Sequence, residues 1–139
     1  RIAWVFGVNG KNFIKTMLNL GKTRDTLTVV SDQIGTPTYT YDLAKLVVDM
    51  CEKEEYGKYH VTNEGGYISW ADFAKEIFRL AGKSTLVEGI SSEEYSASAK
   101  GTVAPRPAYS ILENYMFKLT GGYTFADWHD AIAEYMKTL

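Results

Sequence analysis

Tyr41 and Lys45 are the residues of this sequence whose types and spacing point most directly to chemistry. They lie in the stretch SDQIGTPTYTYDLAKLV, and a helix would bring the two side chains to one face, one turn apart. A lysine ammonium favours the ionised form of a neighbouring tyrosine, and such a tyrosine can transfer a proton in catalysis. The alternative is a chance match without catalytic function.

The elements around this pair favour the chance match. Asp42 is a suitable N-cap, and apolar residues at helical spacing follow it as far as Met50. If Asp42 caps the helix, Tyr41 lies just outside it. The preceding SDQIGTPT is predicted to be a loop, with Gly35 and Pro37 as breakers.

Strands alternate with helices along the sequence. The predicted strands are 2–6, 27–30, 58–63 and 84–90. The predicted helices are 13–20, 43–50, 70–81, 111–119 and 125–136. Ser69 and Asp72 have the spacing of a capping box, and most of 91–110 is predicted to be loop. This order indicates an α/β fold with parallel pairing, short strands and a helical end. No linker is evident, so a single unit over residues 1–139 is expected.

Composition restricts the class of protein. Hydrophobic residues make up 45% and charged residues 23% of the chain, which is typical of a globular domain. The net charge of -2 and the lack of a long basic run argue against nucleic-acid binding. No apolar run reaches the length of a membrane span, and no signal peptide is seen. The single Cys51, interpreted as a helix residue without chemistry, fits the cytoplasm.

Several kinds of active site have no signature here. The sequence contains no G-x-G-x-x-G turn, no phosphate-binding loop and no G-x-S-x-G elbow. His60 and His129 are far apart and lack accompanying cysteines, so a zinc site is not expected. We interpret His60 as structural and His129 as facing solvent.

Four stretches resemble, in the same order, segments of the dTDP-4-dehydrorhamnose reductase family. They are RIAWVFGVNGKNFIKTMLNLGK, VVSDQIGTPTYTYDLAKLV, GKYHVTNEGGYISWADFAKEIFRLAG and APRPAYSIL. The resemblance covers nearly the whole chain. It implies an extended short-chain dehydrogenase/reductase, in which a Rossmann-like cofactor domain precedes a smaller dTDP-sugar-binding part. It also implies that the cofactor turn and the catalytic Tyr-x-x-x-Lys pair lie before the position of Arg1, so that this chain is the C-terminal half.

The resemblance also implies a reaction. The intact parent would use NADPH or NADH to reduce dTDP-4-dehydro-L-rhamnose in dTDP-rhamnose and cell-surface polysaccharide biosynthesis. A homodimer and a magnesium ion are further implications, and no residue in this sequence locates the metal. The chain alone is expected to be inactive. Two alternatives stay open: a non-catalytic regulatory or binding relative, and another nucleotide-sugar reductase or epimerase.

Trp4, Asn12, Gln33 and Arg106 are the candidate substrate-binding residues. By the resemblance, Trp4 corresponds to a tryptophan that lines the dTDP-sugar site; the alternative is core packing. Asn12 precedes a helix whose first N–H groups would suit a diphosphate; the alternative is simple N-capping.

Gln33 lies in the DQIGTPT loop together with Thr36 and Thr38. This loop either contacts the ligand or serves only to form the turn. Arg106, between Pro105 and Pro107, offers a bidentate donor to phosphate; the alternative is a solvated arginine.

Overall fold

The computed structural model describes residues 1–99, 101–120 and 122–139. Its strands are β1 Val5–Phe6, β2 Thr26–Val30, β3 Ile34–Gly35, β4 Thr38–Tyr39, β5 Ile68–Ser69, β6 Leu86–Ile90 and β7 Tyr109–Ser110. Its helices are α1 Phe13–Leu20, α2 Thr40–Cys51, α3 Trp70–Leu80, α4 Ser92–Ser98, α5 Tyr115–Leu119 and α6 Trp128–Met136. The predicted α/β class is confirmed. Within the described residues, no helix combines the length and apolar character that crossing a membrane requires.

The chain forms two compact units, each assembled from separate segments. The first unit comprises Arg1–Gly10, Thr36–Gly66 and Ile111–Leu139, and the second comprises Lys11–Gly35 and Tyr67–Ser110. Because both units are discontinuous in sequence, no single linker marks their boundary.

The first unit is built around β1 and β4, which pair in parallel with Val5 opposite Thr38 and Phe6 opposite Tyr39. The Phe6 and Tyr39 rings stack with centroids 5.2 Å apart. Tyr135 of α6 packs against both rings, and its hydroxyl donates to the Gly7 carbonyl at 2.9 Å. A further apolar cluster of this unit contains Leu46, Tyr59, Val61, Phe117 and Phe125.

The second unit is built around β2 and β6, which run parallel from Thr26 opposite Leu86 to Val30 opposite Ile90. Helix α3 packs against both strands and against α1. Strand β3 pairs in parallel with β7 and antiparallel with β5. Burying each large apolar side chain of α3, such as Ile77 or Phe78, contributes about 1.5–3 kcal/mol.

Ser69 is the N-cap of α3, as predicted, and the helix ends at Leu80, one residue before its predicted end. The Ser69 hydroxyl oxygen accepts from the Asp72 backbone N–H at 3.0 Å and donates to the Asp72 carboxylate at 2.7 Å. After Leu80 the helix ends, and Gly82 takes a φ of +62°. A residue with a side chain rarely adopts this left-handed conformation.

The prediction for α2 is wrong at its start. Tyr39 is the N-cap, and Tyr41 and Asp42 both lie in the helix. Asp42 does not cap, because its carboxylate accepts from the Asn63 side-chain amide at 2.8 Å. The argument that Tyr41 lies outside the helix is therefore wrong.

Other predicted elements differ from the structure in extent. Ile2 forms an isolated bridge with Val61, so the predicted strands 2–6 and 58–63 are not continuous. The predicted loop before α2 contains β3 and β4, and the predicted loop after β6 contains α4. Helices α5 and α6 begin later than predicted, at Tyr115 and Trp128.

Candidate functional site

Trp4 has an unusual backbone conformation. Its φ is +45°, and it is the one non-glycine residue with positive φ in the described part of the chain. Such a conformation costs about 1–3 kcal/mol and is found where surrounding contacts enforce it, often at functional sites. Trp4 lies directly before β1, not within the strand as the predicted range 2–6 implied, and its side chain is half-buried. The strained backbone interrupts the strand at a residue predicted to bind the sugar nucleotide.

Asn12 is the N-cap of α1. Its side-chain oxygen accepts from the Lys15 backbone N–H at 2.9 Å, as expected of an asparagine with extended backbone at this position. The capping alternative is thus observed. Contact with a diphosphate stays a prediction.

Gln33 follows the carboxyl end of β2, and Ser92 follows the carboxyl end of the neighbouring parallel strand β6. The Gln33 side-chain nitrogen donates to the Ser92 hydroxyl oxygen at 2.9 Å. The Ser92 hydroxyl in turn donates to the Asp32 carboxylate at 2.6 Å. In open α/β sheets, ligands bind outside the carboxyl ends of parallel strands, so the position of Gln33 suits the predicted contact.

Asp32 also accepts from the Ser92 backbone N–H, at 3.0 and 2.9 Å to its two oxygens. The hydrogen bonds from the Ser92 side chain and backbone lower the pKa of Asp32 below its ordinary value of 3.8. Asp32 is therefore a carboxylate at neutral pH. Neither Asp32 nor Ser92 was predicted as a site residue, although Ser91-x-x-Glu94 is a capping-box signal that marks the start of α4.

The two threonines of the predicted loop are buried within the first unit. The Thr38 hydroxyl lies 3.5 Å from the Val61 carbonyl, and the Thr36 hydroxyl oxygen accepts from the Leu112 backbone N–H at 3.4 Å. Both side chains are at most 4% exposed. Their contacts are those of structural residues.

Arg106 lies in an irregular segment before β7 and is exposed. Within the described residues it forms no ion pair of the kind seen between Arg79 and Glu76. This is the environment expected of a solvated arginine. Its contact with phosphate stays a prediction.

The Tyr41–Lys45 pair forms a cation–π contact. The Lys45 ammonium lies 3.9 Å from the centroid of the Tyr41 ring, and Tyr41 is 57% exposed. Such a contact at an exposed site contributes about 0.5–1 kcal/mol. The Tyr41–Lys45 pair can therefore stabilise the helix without taking part in catalysis. That the pair is not catalytic stays a prediction.

The first unit contains a cavity of about 270 Å³ beside α2 and α5. It is lined by Leu46, Asp49, Met50, Lys53, Glu55, Phe117, Thr120, Gly122 and Tyr123. None of the four predicted binding residues contributes to this cavity. It therefore adds no support to the predicted site.

The histidines and acidic residues do not form a metal cluster in the part of the chain that the structure describes. His129 is exposed, as predicted, and its ring stacks on Trp128. Its Nδ1 lies 2.7 Å from the Asp127 carboxylate. The magnesium ion implied by the resemblance has no ligand set of three such residues within this described part.

Curated relatives match almost the full chain. The spore coat polysaccharide biosynthesis protein SpsK of Bacillus subtilis is 42% identical over 99% of this chain and 46% of its own length. A dTDP-4-dehydrorhamnose reductase of Aggregatibacter actinomycetemcomitans is 40% identical over 95% of this chain and 47% of its own length. The chain thus spans about half the length of the curated relatives it matches.

Solved structures also match almost the full chain. A dTDP-4-dehydrorhamnose reductase of Clostridium acetobutylicum superposes with a TM-score of 0.89 at 46% identity, covering 99% of this chain and 46% of that protein. The Bacillus anthracis enzyme, crystallised with NADP, gives 0.88 at 38% identity and the same coverage. The family model described as RmlD substrate binding domain matches residues 1–139. The chain belongs to the RmlD substrate-binding domain family.

Proposed function

We propose that this chain is the dTDP-sugar-binding part of a dTDP-4-dehydrorhamnose reductase. The intact parent reduces the 4-keto group of dTDP-4-dehydro-L-rhamnose to the hydroxyl of dTDP-L-rhamnose. The observation that carries the proposal is the match of all residues 1–139 to a substrate-binding family. Homodimerisation of the parent and cytoplasmic localisation are further parts of the proposal.

In this proposal the chain binds the sugar nucleotide and supplies no residue to the reduction itself. The parent takes its reducing equivalents from NADPH or NADH, but none of the strands here is followed by a G-x-G-x-x-G turn. Dinucleotides are bound by that turn in Rossmann-like domains. The residues present do not fit the cofactor, so we assign its binding and the catalytic tyrosine and lysine to another part of the parent.

Each candidate residue has a separate function in binding. Trp4 offers an aromatic face to the sugar nucleotide, and its strained backbone supports a functional rather than a packing role. Arg106 supplies a planar bidentate donor for the diphosphate. Asn12 places a polar side chain at the start of α1, where helix N–H groups favour anions. Gln33 supplies a polar contact at the carboxyl end of β2.

Isothermal titration of the 139-residue chain with dTDP-L-rhamnose, UDP-glucose and GDP-mannose tests the proposal. We expect the thymidine ligand to bind at least about tenfold more tightly than the other two, a difference of about 1.4 kcal/mol. The same preparation should show no oxidation of NADPH when the 4-keto sugar nucleotide is added. Equal affinities would favour another nucleotide-sugar enzyme, and measurable turnover would contradict the assignment of catalysis to another part of the parent.

Replacing Trp4 separates ligand binding from packing. We expect Trp4→Gly and Trp4→Ala both to lower the affinity for dTDP-L-rhamnose by about tenfold or more. Trp4→Gly should be the more stable of the two by about 1 kcal/mol, because glycine adopts a positive φ without strain. Titration and urea unfolding measure the two effects.

Tyr67→Ala is the control for Trp4, since Tyr67 is an aromatic side chain with 64% exposure. It should change neither quantity appreciably. If Trp4 were only a core residue, both Trp4 variants would lose about 3–5 kcal/mol of stability while the folded fraction kept its affinity. That result would remove Trp4 from the site.

A further inference from the structure

Three side chains at the carboxyl ends of β2 and β6 form a hydrogen-bond chain with a defined direction. The Asp32 carboxylate can only accept hydrogen bonds. It lies 2.6 Å from the Ser92 hydroxyl oxygen, which therefore uses its single hydrogen as donor to Asp32. Ser92 then has only lone pairs left for Gln33.

This direction decides the orientation of the Gln33 amide. The atom of Gln33 that lies 2.9 Å from the Ser92 hydroxyl must be the donor Nε2, because a carbonyl oxygen in its place would face a lone pair. The carbonyl oxygen Oε1 is consequently turned away from Ser92. An exposed glutamine without such a neighbour presents either end of its amide, since the two orientations are nearly equal in shape.

We propose that Ser92 and Asp32 are positioning residues that fix the Gln33 amide so that its Oε1 accepts a hydrogen bond from the bound nucleotide sugar. This inference rests on the proposed function and adds the class of ligand group that Gln33 recognises, a hydrogen-bond donor. Three parts of a thymidine diphosphate sugar supply one: the imino N3–H of the base, the 3′-hydroxyl of the deoxyribose and the hydroxyl groups of the rhamnose. A fixed acceptor favours each of them over a ligand in which that donor is lost.

The fixed orientation of the Gln33 amide depends on the negative charge of Asp32. In Asp32→Asn the side chain can present an N–H to the Ser92 oxygen, which frees the Ser92 hydrogen to point at Gln33. The hydrogen bonds that join residue 32, Ser92 and Gln33 can then form with donor and acceptor exchanged. Either end of the Gln33 amide can therefore face the ligand. Ser92→Ala removes the link altogether, whereas Ser92→Thr keeps the hydroxyl.

The first test needs no ligand. The side-chain N–H signals of Gln33 are measured by NMR in the 139-residue chain and in its variants. We expect these signals to move in Ser92→Ala and in Asp32→Asn, and to stay close to the parent values in Ser92→Thr. Ser98→Ala is the matched control, because the Ser98 hydroxyl donates only to the Tyr95 carbonyl of the same helix. Gln33 signals that are the same in all variants would overturn the inference.

The second test measures discrimination between ligands by titration. The probes are dTDP, its N3-methyl derivative, its 3′-deoxy derivative and dTDP-L-rhamnose. If the base supplies the donor, methylation lowers the affinity by about tenfold. If the rhamnose supplies it, methylation has no effect, and dTDP-L-rhamnose binds about tenfold more tightly than dTDP. If the deoxyribose supplies it, removing the 3′-hydroxyl lowers the affinity by about tenfold. In each case Ser92→Ala and Asp32→Asn should reduce that ratio to about threefold or less, and Ser92→Thr should preserve it.

A purely structural function of Ser92 gives a different result. Ser92→Ala would then weaken all four probes by one common factor and leave their ratios unchanged, which overturns the inference while the proposed function stands. If the unmodified chain binds none of the probes, the proposed function fails and this inference fails with it.

Discussion

Asn63→Ala is expected to lower the free energy of unfolding of this chain by about 3–5 kcal/mol, the largest single loss that we predict. Asn63 is 2% exposed. Its side-chain oxygen accepts from the Tyr39 backbone N–H at 2.7 Å, and its side-chain nitrogen donates to Asp42 at 2.8 Å and to the Ala126 carbonyl at 3.1 Å. The buried Tyr39 N–H loses its acceptor, which costs about 1–3 kcal/mol. The half-buried Asp42 carboxylate loses a hydrogen bond to a charged group, about 1.5–3 kcal/mol. The Ala126 carbonyl keeps the hydrogen bond from the Glu64 backbone N–H at 3.0 Å, so it adds little.

Loss of Asn63 also disconnects separate segments of the first unit. Tyr39 is the N-cap of α2, Asp42 lies in the first turn of that helix, and Ala126 lies just before α6. A domain of ordinary stability has about 5–15 kcal/mol in total, so the expected loss is a large part of it.

Urea unfolding followed by circular dichroism measures the effect of Asn63→Ala. Asn19→Ala, on the exposed side of α1, is the matched control and should stay within about 0.5 kcal/mol of the parent. A loss below about 1 kcal/mol in Asn63→Ala would show that water replaces the side chain and that these hydrogen bonds are not decisive.

Gly65→Ala is expected to cost about 3 kcal/mol, and Gly66→Ala about 1 kcal/mol. Both glycines have positive φ, +98° and +84°, so both variants carry backbone strain. A Cβ on Gly65 would lie 2.5 Å from the Asp127 carboxylate, whereas a Cβ on Gly66 meets nothing within 4 Å. The difference between the two variants therefore measures the steric clash alone.

The clash at Gly65 affects the start of α6. Asp127 is the N-cap and accepts from the His129 backbone N–H at 2.8 Å; losing a cap costs about 1 kcal/mol. The Gly65 carbonyl also accepts from the Trp128 indole at 3.1 Å. Thermal and urea unfolding of both variants test the prediction. Equal destabilisation would mean that Asp127 moves aside without cost.

Features that depend on residues close in sequence were predictable. The cap at Ser69 involves an acid three positions later, the end of α3 needs only Gly82, and β2 follows from a run of β-branched residues. The α/β class follows from the alternation of such elements. Four motifs in one order indicated the family, which the match over residues 1–139 confirms.

Features that depend on residues far apart in sequence were not predictable. Asp42 was predicted to cap α2, but Asn63, 21 positions away, is its partner. The orientation of the Gln33 amide depends on Ser92, which is 59 positions away. Propensity and periodicity describe the neighbours of a residue within a turn or a strand. The sequence by itself therefore determined the α/β class, the cap of α3 and the family. Only the tertiary structure decided which polar groups bind each other and where the backbone at Trp4 is strained, because those choices depend on which distant segments pack together.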